Sequence, residues 1–331
     1  MSWDRAQLVE LQSESTPGFW YSNLSRDGRG RVAFGGGHCA HLSPKNVHAF
    51  STSDSPVLRA REQVAFVHYL AAELTSEVLL FVAVETNPPS IEVFLSDTPS
   101  AAPTRSKDIV LDSSHRGASI TCMDTVAADG GPLLAVGLST GKIVLFSRKA
   151  EMFRQVCELA DLALPIISVK GDSSRHRSVL AACDESGRVL VWDEAGTNKF
   201  KLEHSIPPKS GDFPTALAVQ DENLYVGHFS GRLHMHSLDS KRKVAEVVTN
   251  TRCITAIDAH PREDLLVVAG EDCRASILVP PRKQSPIQLI FSVCVNGMIT
   301  GAVFTCDRPE SAGVSLAIFE RNYIVRYNFR K

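Results

Sequence analysis

Four stretches of the sequence repeat one pattern: LLAVGLSTGKIVLFS at 133–147, VLAACDESGRVLVWD at 179–193, NLYVGHFSGRLHMHS at 223–237 and LLVVAGEDCRASILV at 265–279. Each consists of an apolar run, a short polar turn and a second run in which apolar residues alternate. The turn residues Gly141, Gly187, Gly231 and Cys273 follow one another at steps of 46, 44 and 42 residues. Strand–turn–strand units at a period of about 40–45 residues predict a β-propeller.

A second series of residues precedes these hairpins and keeps the same period. In each case an apolar residue is followed by Thr or Ile: Ile120-Thr121, Ile166-Ile167, Pro214-Thr215, Ile254-Thr255 and Ile299-Thr300. The residues that follow are small, apolar or β-branched, which suits a strand in a crowded centre. We interpret this series as the innermost strand of each blade.

The two series together predict a four-stranded blade in each repeat. The regular blades are predicted at 120–159, 166–204, 215–248 and 254–294, with a less regular blade over 64–111 and an irregular first blade around 31–50. The last blade, over 299–329, has only three strands. The segment AQLVEL at 6–11 has a strand pattern but no blade of its own, and pairing it there would cover an unpaired edge. The sequence therefore predicts one domain, 1–331, an all-β seven-bladed propeller whose ring is closed by the N-terminal strand.

Composition narrows the class of protein. The formal net charge of −2 argues against a nucleic-acid partner, which usually meets a basic face. No apolar run is long enough for a membrane span, and the start MSWDRAQLVELQ lacks the apolar core of a signal peptide. The eight cysteines are scattered singly, as expected of reduced thiols in a cytoplasmic protein. We therefore expect eight free thiols and a cytoplasmic location.

One repeat carries a recognisable family signature. The string DESGRVLVWD at 184–193 ends in Trp192-Asp193 and resembles the WD40 repeat, whereas the other copies have drifted and only His115 resembles the usual Gly-His histidine. The strings GHFSGRLHMHSLDS, RCITAIDAHPREDLLVVAGEDCRASIL, CVNGMITGAVF and FGGGHCAHLSP resemble the family of WD repeat-containing protein 54 more specifically. The drifted copies imply that the blades are held together mainly by apolar packing. The closer resemblance implies a non-enzymatic interaction scaffold.

The candidate binding residues lie in the loops before the innermost strands. In propellers these loops form one rim of the channel, and arginine with aromatic residues is typical of interface hot spots. The speculative partner-binding residues are His115, Arg116, Phe213, Arg252 and Met298. The expected partners are other proteins or peptides, and the chain is a possible member of a larger complex. A solvated rim without a partner is the alternative.

Two histidine motifs have metal-ligand residue types, but neither predicts a metal site. His38, Cys39 and His41 lack a second pair of ligands, and a structural zinc site needs four. His234 and His236 share one face of a predicted third strand, where buried structural histidines are the more ordinary interpretation. We therefore expect no metal.

A glycine-rich motif at 34–38, FGGGH, resembles a phosphate loop at first sight. It lacks a following Lys-Ser/Thr and a helix, so its glycines are better explained by a turn or bulge of a strand. We expect no cofactor.

No catalytic motif is present in the sequence, and we expect no enzyme activity. A serine–histidine–acid site assembled in space is not excluded by sequence, because such residues are abundant. Two alternative functions therefore stay open: a propeller hydrolase similar to the WD-repeat methylesterase of diphthamide synthesis, and a structural subunit of a ciliary or cytoskeletal assembly. A histidine and an acid converging on the channel mouth would favour the hydrolase.

Overall fold

The computed structural model describes residues 2–3, 7–10, 21–26, 32–36, 39–43, 57–59, 64–71, 78–95, 104–172, 178–281, 286–308, 311–321 and 323–330. The described strands form seven antiparallel sheets, numbered 1 to 7 along the chain. The chain divides into two compact units, Ala118–Cys294 and Met1–Gly117 with Val295–Lys331, and each is described by itself. No helix among the described residues is long and apolar enough to cross a membrane.

The unit Ala118–Cys294 contains four sheets of four strands each, every strand paired with the next along the chain. Sheets 3 and 4 consist of β12 (Ile120–Val126), β13 (Leu133–Leu138), β14 (Ile143–Lys149), β15 (Met152–Leu159), β16 (Ile166–Gly171), β17 (Val179–Asp184), β18 (Val189–Gly196) and β19 (Lys199–Ile206). Sheets 5 and 6 consist of β20 (Pro214–Gln220), β21 (Asn223–His228), β22 (Arg232–Ser237), β23 (Arg242–Val248), β24 (Ile254–Ala259), β25 (Leu266–Gly270), β26 (Arg274–Val279) and β27 (Gln288–Cys294). The four predicted regular blades are therefore present as sheets.

Burial follows the order of the strands in this unit. Second strands such as β13 and β17 are buried at every residue, whereas the fourth strands β15, β19, β23 and β27 are mostly exposed or half-buried. The first strands of consecutive sheets contact one another. Apolar clusters fill the space between consecutive sheets, and burying them supplies most of the free energy that holds the sheets together.

The Ile-Thr series of the sequence marks a β-bulge in each first strand. Pairing with the second strand skips one residue between Ile120 and Cys122, and the same shift recurs in sheets 4, 5, 6 and 7. A bulged residue has no partner in the ladder, and a threonine at that position can bond the neighbouring carbonyl. The hydroxyl donates to a second-strand carbonyl in four sheets, from Thr121 (3.1 Å), Thr215 (3.2 Å), Thr255 (3.3 Å) and Thr300 (3.5 Å).

The turns between second and third strands need a left-handed backbone. Gly141, Gly187 and Gly231 have φ values of 81°, 87° and 79°, where glycine meets no steric penalty. A Cβ at Gly231 would lie 2.1 Å from the carbonyl oxygen of Asn250, so this turn also requires a close backbone approach. Cys273 holds the same turn position in sheet 6 at φ 65°, which strains a residue that has a side chain.

The other unit contains sheets 1, 2 and 7, of which only part is described. Sheet 1 consists of β3 (Leu24–Arg26), β4 (Val32–Gly36), β5 (Cys39–Ser43) and β6 (Val57–Arg59), and sheet 2 of β7 (Val64–Ala71), β8 (Val78–Val84), β9 (Ser90–Leu95), β10 (Thr104–Arg105) and β11 (Ile109–Val110). Sheet 7 consists of β28 (Ile299–Arg308), β29 (Ser311–Ile318) and β30 (Tyr323–Arg330), joined by β1 (Ser2–Trp3) and β2 (Gln7–Glu10). Sheet 1 extends beyond the predicted 31–50 on both sides.

The N-terminal segment pairs with the last strand, as the sequence predicted. Residues Gln7–Glu10 run antiparallel to β30, with Gln7 opposite Arg326 and Glu10 opposite Tyr323. Ser2 and Trp3 continue the pairing opposite Arg330 and Phe329. Val9 is buried in an apolar cluster with Leu24, Val303 and Ile324 among its members. The pairing thus covers the edge that three consecutive strands would leave open.

Candidate functional site

One hydrogen bond recurs at the same end of several sheets and defines a rim. The first N–H of the turn between second and third strands donates to the carbonyl just before the first strand: Ser139 to Ser119 (2.9 Å), Glu185 to Pro165 (3.0 Å), Phe229 to Phe213 (3.0 Å) and Glu271 to Cys253 (3.0 Å). We call the edge of sheets 3 to 6 formed by these loops and turns the rim. Its backbone is fixed by the repeat, so only its side chains differ between sheets.

Carboxylates on the rim are used to hold the turns. Asp184 accepts from the N–H groups of Ser186 (3.0 Å) and Arg188 (3.2 Å). Asp272 accepts from Thr251 N–H at 2.8 Å and from Asn250 Nδ2 at 2.7 Å. Partial burial opposes ionisation of Asp272, but these bonds outweigh it and hold the pKa of its carboxyl below the usual value. These acids are therefore structural groups.

A pair of exposed aromatic rings distinguishes the rim of sheet 5. Phe213 and Phe229 are 42% and 49% exposed, and their stacked rings have centroids 5.0 Å apart. They are the only aromatic residues among the large exposed hydrophobic side chains of the described part of the chain. Leu164, in the loop before the first strand of sheet 4, is also exposed, at 44%. Exposed apolar rings held rigidly at a loop edge are typical of protein-binding surfaces.

The rings are held in place by their backbone neighbours. Ser230 follows Phe229 and donates its N–H (3.0 Å) and its hydroxyl (2.8 Å) to the carboxylate of Asp212, which precedes Phe213. Gly187 of the adjacent sheet lies against the same loop, since a Cβ added there would be 3.4 Å from Phe213 Cβ. Little conformational entropy is therefore lost when a partner covers the two rings.

The predicted binding residues fall into two groups. Phe213 and the exposed Arg252 lie on the rim, in the loops before β20 and β24. His115, Arg116 and Met298 belong to the other unit. His115 ends a 3₁₀ turn (Ser113–His115) and is only 2% exposed, so its side chain is not presented to a partner.

The remaining two residues of that unit differ in what they present. Arg116 is exposed, and Met298 is partly exposed while its carbonyl accepts the N–H of Phe319 at 2.8 Å. This repeats in sheet 7 the hydrogen bond that defines the rim. Sequence reasoning missed Phe229, although one signal was present: Phe229 occupies the turn position held by Ser139, Glu185 and Glu271 in the other copies.

The two histidine motifs have different outcomes. His234 and His236 share a buried face of β22 as predicted, and the described residues contain no group of three or more His, Cys, Asp or Glu placed to hold a metal. Cys39 and His41 lie on β5, but their side chains and all of His38 fall outside the described residues. Gly35 and Gly36 continue β4 opposite β5, so the glycine-rich motif is a hairpin strand as far as it is described.

One serine, histidine and acid do meet at the rim, in the wrong order for nucleophilic catalysis. The Ser230 hydroxyl donates to Asp212, and His228 Nδ1 lies 3.3 Å from the Asp212 carbonyl oxygen and 3.9 Å from its carboxylate. In a catalytic triad the histidine stands between the other two and accepts the serine proton. Here the serine hydroxyl donates its hydrogen bond to the carboxylate and not to the histidine, so the arrangement stabilises the turn and does not activate the hydroxyl.

Comparisons with known proteins identify the fold. No family model matches the chain, and no curated protein sequence matches it. Among solved structures, a WD40 propeller chain in the crystal structure of the mitotic checkpoint complex is similar over 98% of this chain and 91% of that chain, with a TM-score of 0.73 and 13% identity. The all-β propeller fold predicted from the repeats is thereby confirmed. The closer resemblance to the family of WD repeat-containing protein 54 is not supported by these comparisons.

Proposed function

We propose that this chain is a non-enzymatic, cytoplasmic protein-interaction scaffold of the WD-repeat type that docks proteins or peptides on the rim. The observation that carries the proposal is the stacked pair Phe213 and Phe229, exposed at 42% and 49% on a loop edge held by backbone hydrogen bonds. Leaving two such rings in water forgoes the free energy of burying them, which a partner would recover.

The architecture that belongs to this proposal is a single domain of seven blades closed into a ring by the N-terminal strand. The seven antiparallel sheets and the pairing of Gln7–Glu10 with β30 support it. The likeness to a propeller chain of a multiprotein complex is consistent with protein partners. The resemblance to the family of WD repeat-containing protein 54 stays part of the proposal, on the sequence strings given above.

The residues of the rim favour binding over chemistry. Asp184, Asp212 and Asp272 are engaged by the turns, and the one serine–histidine–acid contact lacks triad geometry. The described residues also lack a cluster suited to a metal ion. A hydrolase would need another site, and its test is turnover of an ester or phosphate that is abolished by changing one rim histidine or serine.

The test compares the rim with an equally apolar surface elsewhere. The double variant Phe213→Ala/Phe229→Ala removes the pair, and Val244→Ala removes a 52% exposed side chain from the outer strand β23. Proteins captured by the wild-type chain are identified, and their affinities for the three forms are then measured with purified components. We expect about 30-fold weaker binding of at least one partner by the double variant alone, as for an interface hot spot. Equal binding by all three forms would contradict docking at this pair.

Charge reversal tests the two exposed arginines of the predicted set. Arg116→Glu/Arg252→Glu should fold normally because both side chains are exposed, and it should weaken a partner that presents acidic groups. Retention of every partner by the folded variant would place docking away from both arginines.

A further inference from the structure

Four histidines from two neighbouring sheets meet in the seam between sheets 4 and 5. His228, His234 and His236 lie on one face of β21 and β22, and His204 lies on β19 of sheet 4. The first three are 6%, 6% and 7% exposed. The ring centroids of His228 and His234 are 4.1 Å apart, and those of His234 and His236 are 6.3 Å apart. We call these four residues the histidine seam.

Apolar residues complete the same seam. Val191 of sheet 4 and Leu217, Leu224 and Val226 of sheet 5 belong to one buried cluster. Val226 is directly opposite His234 in the ladder, and Leu224 is opposite His236, so the histidines share the face that packs towards sheet 4. A charge on these rings would therefore be placed beside apolar groups that exclude water.

The carboxylates that face the histidine seam are already engaged. Glu246 on β23 lies 3.2 Å from His234 Nε2, but it also accepts from Arg232 and Lys243 at 2.6 Å each. Glu203 on β19 accepts from Lys201 and Lys241 at 3.0 Å each.

The loop before β20 adds no free acceptor either. Its Asp212 accepts from Ser230, while His228 approaches the Asp212 carbonyl. Lys209 of the same loop opposes protonation of His228 and His234. Protonated histidines would thus add positive charge where four basic side chains already pair with the two glutamates and Lys209 lies nearby.

The neutral form of the rings is favoured at neutral pH. Burial, and then the neighbouring His228, lowers the pKa of His234 to about 4. Burial, and then His234 and His204, lowers the pKa of His236 to about 4. Burial also lowers the pKa of His228 and of His204. Nε2 of His204 and of His228 is buried without a hydrogen-bond partner, so no acceptor in the described structure bonds the proton that acid would add there. Asp212 and Glu246 favour the charged form of His228, but burial outweighs them.

We propose that the histidine seam is an acid-sensitive element that keeps sheets 4 and 5 together at neutral pH and loosens their contact when its rings are protonated. Two imidazolium rings at the His228–His234 spacing repel each other, and the packed apolar cluster prevents water from screening them. The loosening reaches the rim because His228 directly precedes Phe229 and contacts the Asp212 carbonyl. The inference does not depend on the proposed function, since it concerns the fold of the free chain.

Hydrogen exchange of the whole chain tests this inference strand by strand. Exchange is measured at about pH 7.5 and about pH 5, a range that spans ordinary histidine protonation, and corrected for the intrinsic rate at each pH. We expect protection in β20 to β23 and in β19 to fall about tenfold at the lower pH, while β12 to β14 of sheet 3 keep theirs. An equal loss in sheets 3 and 5 would overturn the proposal, because it would indicate global acid unfolding.

Matched variants assign the effect to the rings. His228→Gln/His234→Gln removes two of the four titrating groups while keeping polar side chains of similar size, and its protection should fall clearly less between the two pH values than that of the wild-type chain. His260→Asn is the control, because His260 is also buried but lies after β24, where its Nδ1 accepts from Arg262 and Glu263. This control should behave as the wild-type chain does.

A second measurement covers the case in which the double variant does not fold. Titration of the histidine ring resonances of the wild-type chain should give at least two midpoints well below about 6.5, the value of an unperturbed histidine. Midpoints near that value for all four rings, or undiminished acid loosening in a folded double variant, would contradict the proposal.

Discussion

The seam between sheets 3 and 4 and the seam between sheets 4 and 5 are built from equivalent strands with different side chains. The first is apolar, with Cys122, Leu145, Leu180 and Trp192 in one buried cluster. Its polar groups are paired: Trp192 Nε1 donates to Asp161 at 2.9 Å, and Lys170 lies 3.5 Å from Asp124. The second has an apolar part and the histidine seam. The repeat therefore fixes the backbone, whereas the side chains on the face of a single sheet determine the chemistry of its packing.

Sheet 7 differs from both seams because its outer edge, β30, is covered by the N-terminal strands β1 and β2. Deleting residues 1–11 removes β1 and β2, leaving β30 with an open edge and Val9 without its place in the core. We expect the largest effect of all: a fall in melting temperature of many degrees or loss of solubility. Calorimetry and light scattering measure it, and unchanged melting of the soluble truncated chain would contradict ring closure.

Removing the Trp192 side chain from the apolar seam should cause the next largest loss of stability. Trp192 is 1% exposed, and Trp192→Ala should lower the free energy of unfolding by about 3–5 kcal/mol. Because the Trp192 side chain does not titrate, we expect the same loss at about pH 7 and about pH 5 in denaturant titrations. If the loss of unfolding free energy depended strongly on pH, this would contradict the distinction between the two seams.

Lowering the pH should reduce the free energy of unfolding of the wild-type chain through protonation of the histidine seam. A histidine whose pKa is lowered by folding stabilises the fold above its unfolded value of about 6.5 and loses that contribution as the pH falls towards the folded value. With folded values of about 4 for His234 and His236, lowering the pH from 7 to 5 should cost about 1–3 kcal/mol of unfolding free energy. His234→Gln/His236→Gln should lose clearly less, and an equal loss would contradict this assignment.

The smallest predicted effect concerns the turns between second and third strands. It has the opposite sign, because the substitution should raise the stability of the chain. Cys273 has φ 65° where the equivalent turns have glycine, so Cys273→Gly should stabilise the chain by about 0.5–1 kcal/mol. Gly231→Ala is the matched control and should destabilise it, because its Cβ would lie 2.1 Å from a backbone oxygen. Thermal melting of both variants gives the two signs directly. A destabilised Cys273→Gly would show that the cysteine side chain contributes more than its backbone strain.

Much of the fold could be predicted because most repeats place the same residue types at equivalent strand positions. The series with Thr121, Thr215 and Thr255 located the first strands, and the structure shows why those residue types recur: the hydroxyl satisfies a carbonyl at a bulge. The irregular sheet 1 was predicted with the wrong bounds, since neither this series nor the strand–turn–strand pattern is regular in its copy. The six cysteines whose side chains are described are free thiols, while Cys39 and Cys306 lie outside the described side chains.

The candidate site could be predicted only in part because it depends on contacts between copies. Phe213 was found by its place before a first strand, but its partner Phe229 is set beside it by a loop-to-turn hydrogen bond that no local pattern shows. His204 and His236 come from different sheets, so their proximity follows from packing and not from spacing in the sequence.

Docking at the rim of sheet 5 is tested most directly by site-specific photo-cross-linking. A benzophenone amino acid is placed at Phe229 on the rim or at Val244 on the outer strand, two exposed positions of the same sheet. Each form is irradiated with a partner captured by the wild-type chain. Docking at the rim should give a covalent adduct with the partner from position 229 and none from position 244. A partner that binds both forms but cross-links only from position 244 would contradict it.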